Sequence, residues 1–228
     1  MLFLKKRFRK SIYNLKLESG EVSLPKKCFF KLILQIKDND INKLMNIILK
    51  CPLLTFLILR YANFPEFGFQ GEIKLISEAI TVLQPMVLLN YLLSFKESET
   101  KIDKYKLCNK MISGYVRIDS ICKQKILNIF ENKSCEEVRI LYSLFHIIDI
   151  LSFQYNIPQI TLLFKNKNNE TALLLKYNNF PEDYINFFYS PSNNDVYLKK
   201  FFLLTDKYYY LSMLEYHSFI LNYFLNKE

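Results

Sequence analysis

The sequence predicts an all-α protein, a compact multi-helix bundle in one domain or in two helical lobes. The chain of 228 residues holds only four glycines and seven prolines, too few turn formers for many short strands. Half of its residues are hydrophobic and 16% are aromatic, which is enough for one sizeable core. Apolar residues also recur at spacings of three and four along most of the chain, the period of an amphipathic helix.

The first 22 residues are expected to form a basic N-terminal arm, whose apolar residues fit both a helix and a strand period. Residues 1–50 hold twelve Lys and Arg against four Asp and Glu, whereas positive and negative charges nearly balance in the rest of the chain. Such an arm is either a solvated terminus or a contact for nucleic acid, an anionic membrane or an acidic protein. In the second case the chain would be a polyanion-binding adaptor. Its cations are Lys5, Lys6, Arg7, Arg9 and Lys10.

Three helices are predicted next. Ser23 can cap the first, with Pro25 in its first turn, and Asp38 or Asn39 can cap the second. Pro52 restricts the residue before it, so a third helix is expected to begin there. The apolar stripes of the first two helices are Leu32, Ile33 and Ile36, then Ile41, Leu44, Ile47 and Ile48.

A sharp bend is predicted in the stretch LLTFLILRYANFPEFGFQGEIKLISEAITVLQP, residues 53–85. Asn63 can end the helix in a left-handed conformation, Pro65 forbids its continuation, and Gly68 and Gly71 give the loop freedom. A helical stripe restarts at Ile73, and Pro85 should begin the next helix. Three Phe side chains are expected to fold back from this bend into the core: Phe64, Phe67 and Phe69.

The second half of the chain should be helical as well. Residues 98–131 read as one or two helices with a break at Gly114, and a seam between two lobes is expected near 96–100. Ser134 and Glu137 form a capping-box pattern that begins a helix ending at Pro158. The remaining predicted helices are 159–165, 169–177, 182–189 and a longer one at 195–226.

Composition favours a cytoplasmic protein. No apolar run reaches the roughly 18 residues that span a bilayer, and the N-terminus lacks the apolar region of a secretory signal. The cysteines are odd in number and scattered, as is typical of reduced thiols. They are Cys28, Cys51, Cys108, Cys122 and Cys135.

The residues around the bend resemble the HDOD domain, the HD-related output domain of bacterial signalling proteins. That family reads D-P-A-L-T-x-x-L-L-R-x-A-N-S-x-x-F-G and then Ile-Ser-x-x-x-A-I-x-x-L-G. The resemblance covers 24–95, including the Leu-Pro at 24–25, and continues collinearly beyond it. In this chain Phe64 stands for the family's Ser and Gln84 for its last Gly. The matching residues are Pro52, Leu54, Thr55, Leu59, Arg60, Ala62, Asn63, Phe67, Gly68, Ile76, Ser77, Ala79, Ile80 and Leu83.

The resemblance implies that 23–228 form an HDOD-like helical domain. The segment "LYSLFHIIDILSFQYNIPQITLLFKN" resembles the subgroup in which this domain follows a cyclic-di-GMP phosphodiesterase (EAL) domain, for which this chain is too short. The implied function is a non-catalytic regulatory module of bacterial signal transduction that works through contacts with unidentified signalling proteins. No cofactor and no metal are expected.

A divergent HD-type phosphohydrolase is the alternative from a different class. The chain has two histidines, His146 and His217, and no His-Asp dipeptide. His146 and Asp149 are three apart on one predicted helix face, so they could share a metal or a proton. Two ligands do not make a hydrolytic metal centre, however. The structural interpretation is a buried histidine bonded to a local acceptor.

Arg60 and Asn63 are the polar pair of the motif, and together with Phe67 and Gly68 they mark either its structural signature or an interaction site. They could contact a ligand. The structural interpretation is favoured, in which Asn63 bonds to loop backbone and Arg60 to an acid such as Glu66 or Glu78.

Overall fold

The fold is described from a computed structural model. The structure describes residues 23–25, 31–36, 40–69, 71–94, 96–98, 133–154 and 167–205.

The predicted all-α fold is confirmed for these residues. They form nine α-helices, with a short 3-10 turn at Pro65–Phe67. The helices are α1 (31–36), α2 (Ile41–Leu49), α3 (Pro52–Ala62), α4 (Ile76–Leu93), α5 (Cys135–Phe145), α6 (Ile147–Gln154), α7 (Lys167–Tyr177), α8 (Glu182–Tyr189) and α9 (Asn193–Thr205).

Two three-residue strands add a small parallel pair. β1 (Ser23–Pro25) lies beside β2 (Lys96–Ser98), with Leu24 opposite Glu97. The prediction that Ser23 caps a helix with Pro25 in its first turn is therefore wrong, because these residues are extended and paired with a strand distant in sequence. β2 also occupies the beginning of the expected seam.

Helices α2 and α3 begin close to the residues at which the sequence predicted their starts. Asp40, rather than Asp38 or Asn39, caps α2, and its side chain accepts a 3.0 Å hydrogen bond from the Lys43 backbone N–H. Pro52 begins α3 as expected. The Thr55 hydroxyl donates to the Ile48 carbonyl at 3.0 Å, so the start of α3 is fastened to the end of α2.

Helix α4 is bent at Gln84, immediately before Pro85. Gln84 has φ 57° and ψ 152°, a conformation that only glycine adopts readily. Pro85 then begins the second segment, as its fixed φ and missing N–H favour. Among the described helices, Ile76–Leu93 alone has the length and apolar composition of a membrane span. Its apolar composition is also that of a core helix, since six of its residues are buried: Ile76, Ala79, Ile80, Leu83, Leu88 and Leu92.

The capping box of α5 is confirmed, since Ser134 and Glu137 bond reciprocally. The single helix expected from Ser134 to Pro158 is wrong in one respect. It is interrupted at His146, whose N–H bonds to the Ser143 carbonyl three residues back, at 3.2 Å, and tightens the turn.

The later helices follow the prediction. α7 begins two residues before the predicted 169, α8 matches 182–189, and α9 begins at Asn193. The predictions for 99–131, 159–165 and 206–226 lie outside the described residues. The core is built from both halves of the chain, and its largest fully buried side chains include Phe56, Tyr142, Phe187, Phe188 and Phe202.

Candidate functional site

Asn63 is fully buried and closes the bend through three hydrogen bonds to backbone. Its Nδ2 donates to the carbonyls of Leu59 and Ile73, both at 2.9 Å, and its Oδ1 accepts from the Ile73 N–H at 3.1 Å. The expected hydrogen bonds from Asn63 to the loop backbone are therefore present. Its backbone has φ −93°, so it ends α3 without the left-handed conformation that the sequence suggested.

The Phe residues of the bend lie at the edge of the core. Phe64, Phe67 and Phe69 are each half-buried, so the expectation that they enter the core holds in part. Phe67 and Phe69 pack against buried residues. Gly68 supplies the left-handed residue of the turn at φ 77°, and its N–H donates to the Pro65 carbonyl at 3.0 Å.

Tyr61 organises an aromatic cluster beside the bend. It stacks on Tyr91 of α4 with ring centroids 3.8 Å apart, and the edge of Phe67 meets it at 5.2 Å. The Tyr91 hydroxyl donates to the Leu57 carbonyl at 3.3 Å, and burial raises the pKa of Tyr91 above its ordinary value. The cluster locks α3 against the second segment of α4.

Arg60 also faces this cluster. Its guanidinium carbon lies 5.1 Å from the centre of the Phe64 ring, a cation–π contact. Glu78, which the sequence suggested as a partner of Arg60, accepts hydrogen bonds through its Oε2 from two backbone N–H groups just before α4. Phe64 therefore provides the aromatic face on which Arg60 rests.

A second bend has almost the same sequence, and the motif search missed it. Residues 61–66 read YANFPE, and residues 177–182 read YNNFPE. In the second bend Asn179 is left-handed at φ 54°, and the side chain of Asn178 donates to the Leu174 carbonyl at 2.7 Å. An alignment of the sequence with itself over six-residue windows would have found this repeat.

The two bends meet in space. A Cβ placed on Gly71 would lie 3.5 Å from the carbonyl oxygens of Asn179 and Phe180, so the loop after the first bend runs along the second. Phe180 stacks on Phe56 of α3 at 5.1 Å. Each bend thus helps to position the other.

The N-terminal ends of α4, α5 and α8 converge beside these bends. The Ser77 N–H and hydroxyl donate to the two carboxylate oxygens of Glu136, at 2.9 and 3.0 Å. Lys74 forms an ion pair with Asp183, and the Tyr184 hydroxyl donates to the Lys74 carbonyl at 2.8 Å. Acids at helix N-termini are stabilised by the helix dipole. Because these contacts join residues at the starts of different helices, they fasten the three helices together.

Charge and burial at this junction also affect its ionisation. Burial, reinforced by the nearby carboxylates, raises the pKa of Tyr184, and the hydrogen bond to Asp183 raises the pKa of Lys74. The junction therefore keeps a neutral phenol and a charged ammonium at neutral pH. Local sequence patterns gave no signal for the contact between Glu136 and Ser77, because the two residues are 59 positions apart in the chain.

His146 and Asp149 are brought together and buried. His146 Nδ1 lies 3.7 Å from Asp149 Oδ2. The His146 ring makes T-shaped contacts with the rings of Tyr142 and Phe145, with ring centroids 4.9 and 5.1 Å apart. Within the part of the chain that the structure describes, no three His, Cys, Asp or Glu residues are grouped to hold a metal. The basic residues 5–10 and His217 lie outside the described part.

Lys199 is a buried cation that sequence reasoning missed. Only 7% of it is exposed, and its Nζ lies 4.8 and 5.4 Å from the ring centres of Phe187 and Phe188. No hydrogen-bond partner reaches this Nζ among the described residues, and burial lowers its pKa to about 8. Its position three residues before Phe202, on the apolar stripe of α9, was the available signal.

No protein-family model matches the chain, and no curated protein matches it. Among solved structures, the chain is similar to the crystal structure of a virulence factor from Campylobacter jejuni subsp. jejuni, with a TM-score of 0.61 and 18% sequence identity. The alignment covers 89% of this chain and 80% of that one. A likeness at this level of identity concerns the fold alone.

Proposed function

We propose that this chain is an HDOD-type regulatory module of bacterial signal transduction, acting in the cytoplasm through protein–protein contacts and without catalysis. The observation that supports the proposal is that the polar side chains of the motif form hydrogen bonds within the fold. Asn63 bonds to Ile73, and Ser77 bonds to Glu136, so both hold helices in place. A motif employed in this way maintains a scaffold whose outer surface is left for partners.

The surroundings of His146 also support this proposal over the divergent phosphohydrolase. A hydrolytic metal centre needs several ligands and an open position for water. His146 and Asp149 lie close together beside the rings of Tyr142 and Phe145, and both are buried. This geometry suits a structural histidine packed among aromatic rings with a carboxylate nearby.

The first test is metal analysis of the purified full-length chain, combined with a screen for phosphodiesterase activity. The proposal predicts substoichiometric metal and no turnover, in the wild type and in His146→Ala alike. His217→Ala, which changes the only other histidine, is the matched control. Stoichiometric metal with a turnover that His146→Ala abolishes and His217→Ala retains would overturn the proposal.

The second test asks for the partner directly. Crosslinking in native cells, followed by purification of the tagged chain, should recover a signalling protein, and a role in nucleotide second-messenger or motility control should appear in the identity of that protein. Recovery of nucleic acid alone, lost on deletion of residues 1–12, would favour the polyanion-binding adaptor instead.

A further inference from the structure

The outward face of α9 is unusually apolar for a solvent-facing helix surface. Leu198, Lys199 and Phe202 are buried on the opposite side of α9. Among the described residues, this side is the one through which α9 packs against the protein. The outward side of such a helix is normally charged or polar. The residues of α9 that are described as exposed are Asn193, Asn194, Val196, Tyr197, Lys200 and Leu203, and we call the last four the α9 face.

Helical spacing places these four residues together. Val196, Lys200 and Leu203 are at positions i, i+4 and i+7, and Tyr197 lies beside them. Val196, Tyr197 and Leu203 are 37%, 58% and 45% exposed, and Tyr189 at the end of α8 is 63% exposed. Of the nine large hydrophobic side chains exposed in the described residues, four lie between 189 and 203. Contiguous exposed apolar side chains of this kind mark interaction sites.

The charge of the face indicates the chemistry of its occupant. The Lys200 Nζ lies 5.8 Å from the centre of the Tyr197 ring, so the cation sits among the apolar side chains. Asp195, an acid on the same helix, is engaged elsewhere: it accepts from the Ser192 hydroxyl at 2.7 Å and lies 3.5 Å from the Lys133 Nζ. The α9 face therefore presents apolar surface with a positive charge at its centre.

We propose that the α9 face docks an amphipathic helix of a partner protein that carries acidic residues beside its apolar stripe. This inference deepens the proposed function and rests on it for the existence of a protein partner. Apolar contacts would supply affinity, and a carboxylate opposite Lys200 would fix the register and the choice of partner.

Two other occupants fit the observations less well. A second copy of this chain in a two-fold dimer would place the α9 face against itself and so bring the two Lys200 side chains towards each other. A membrane surface attracts clusters of cations, whereas Lys200 is the single lysine of this face.

The test uses two synthetic amphipathic helical peptides with the same leucine stripe, one flanked by Glu and the other by Lys. Fluorescence anisotropy measures their binding to the full-length chain at low and high salt. The Glu peptide should bind in preference, and more weakly at high salt. Lys200→Glu should weaken its binding by about tenfold and favour the Lys peptide, and Leu203→Asp should weaken binding of both peptides by about tenfold.

Lys176→Glu is the matched control, because Lys176 is an exposed lysine on α7, away from this face, and its change should leave both affinities as they are. Circular dichroism and thermal melting confirm that each variant is folded. Equal binding of the two peptides, or affinities that Lys200→Glu leaves unchanged, would overturn the inference.

The competing occupants are tested in parallel. A dimer seen by sedimentation velocity and dispersed by Leu203→Asp would replace the inference with self-association. Binding to phosphatidylserine vesicles that Lys200→Glu abolishes, without peptide selectivity, would replace it with a membrane surface. The peptide measurements leave His146 untouched, so failure of this inference is distinct from the metal-dependent turnover that would overturn the proposed function.

Discussion

Ser77 and Glu136 are joined by two hydrogen bonds, of 2.9 and 3.0 Å, across 59 residues of chain. Ser77 lies in the first turn of α4 and Glu136 in the first turn of α5. One carboxylate therefore satisfies a backbone N–H at the start of one helix while it complements the dipole of another. The serine of the motif thereby connects the two halves of the bundle.

Removing this connection should destabilise the protein. We expect Ser77→Ala and Glu136→Ala each to lower the free energy of unfolding by about 1–2 kcal/mol, because a part-buried partner loses its hydrogen bonds. A double-mutant cycle by urea denaturation should give a coupling energy of about 1 kcal/mol. Glu182→Ala, an exposed acid in the first turn of α8, is the control and should cost less. Additive effects of the Ser77 and Glu136 changes would contradict the expectation.

Asn63 should be among the most sensitive positions in the bend. Asn63→Ala removes three hydrogen bonds and leaves the buried Ile73 N–H and carbonyl without these partners, so we expect a loss of about 2–4 kcal/mol in chemical denaturation. Asn178→Ala in the second bend removes one hydrogen bond, to the Leu174 carbonyl, and should lower the free energy of unfolding by about 1 kcal/mol. Equal losses of unfolding free energy for the two variants would contradict the importance of the three Asn63 hydrogen bonds.

Gln84 should be a position where a single substitution stabilises the protein. Its φ of 57° and ψ of 152° are strained for any side chain, and the residue is exposed, so glycine relieves the strain without loss of packing. Gln84→Gly should raise the free energy of unfolding by about 1 kcal/mol. Asn90→Gly, at an exposed position within the same helix, should lower it by about 0.3 kcal/mol. A melting temperature of Gln84→Gly below that of the wild type would contradict this.

Lys199 should make stability depend on pH under alkaline conditions. Its pKa is about 8 in the folded protein against an ordinary 10.5, so the unfolded chain holds more protons in between. Stability should therefore increase as the pH rises from about 8 towards 10.5, and the destabilisation by the buried ammonium should be complete below about pH 8.

Lys199→Met removes this dependence and should be the more stable protein at pH 7 by about 1–3 kcal/mol, measured by urea denaturation across the pH range. Lys200→Met is the control, since Lys200 is exposed, and it should keep the alkaline rise. A profile for Lys199→Met that parallels the wild type would show that Lys199 is not responsible.

The residues themselves determined much of the fold. Helix starts depend on local chemistry, so Pro52, Pro85 and the Ser134–Glu137 box could be identified within a few residues of sequence. The bend after Asn63 was predictable for the same reason, because Pro65 and Gly68 restrict or free the backbone where they stand. The strand at Ser23–Pro25 was not predictable, because its hydrogen-bond partners lie at 96–98.

Tertiary structure alone decided which polar groups meet. Ser77 finds Glu136, Lys74 finds Asp183, and the loop at Gly71 runs along the second bend, each across a long stretch of sequence. Sequence periodicity reports which face of a helix is apolar, but the neighbour of a given side chain depends on how several helices pack at once. The partners of Ser77 and Lys74, and the outward direction of the α9 face, follow from that packing.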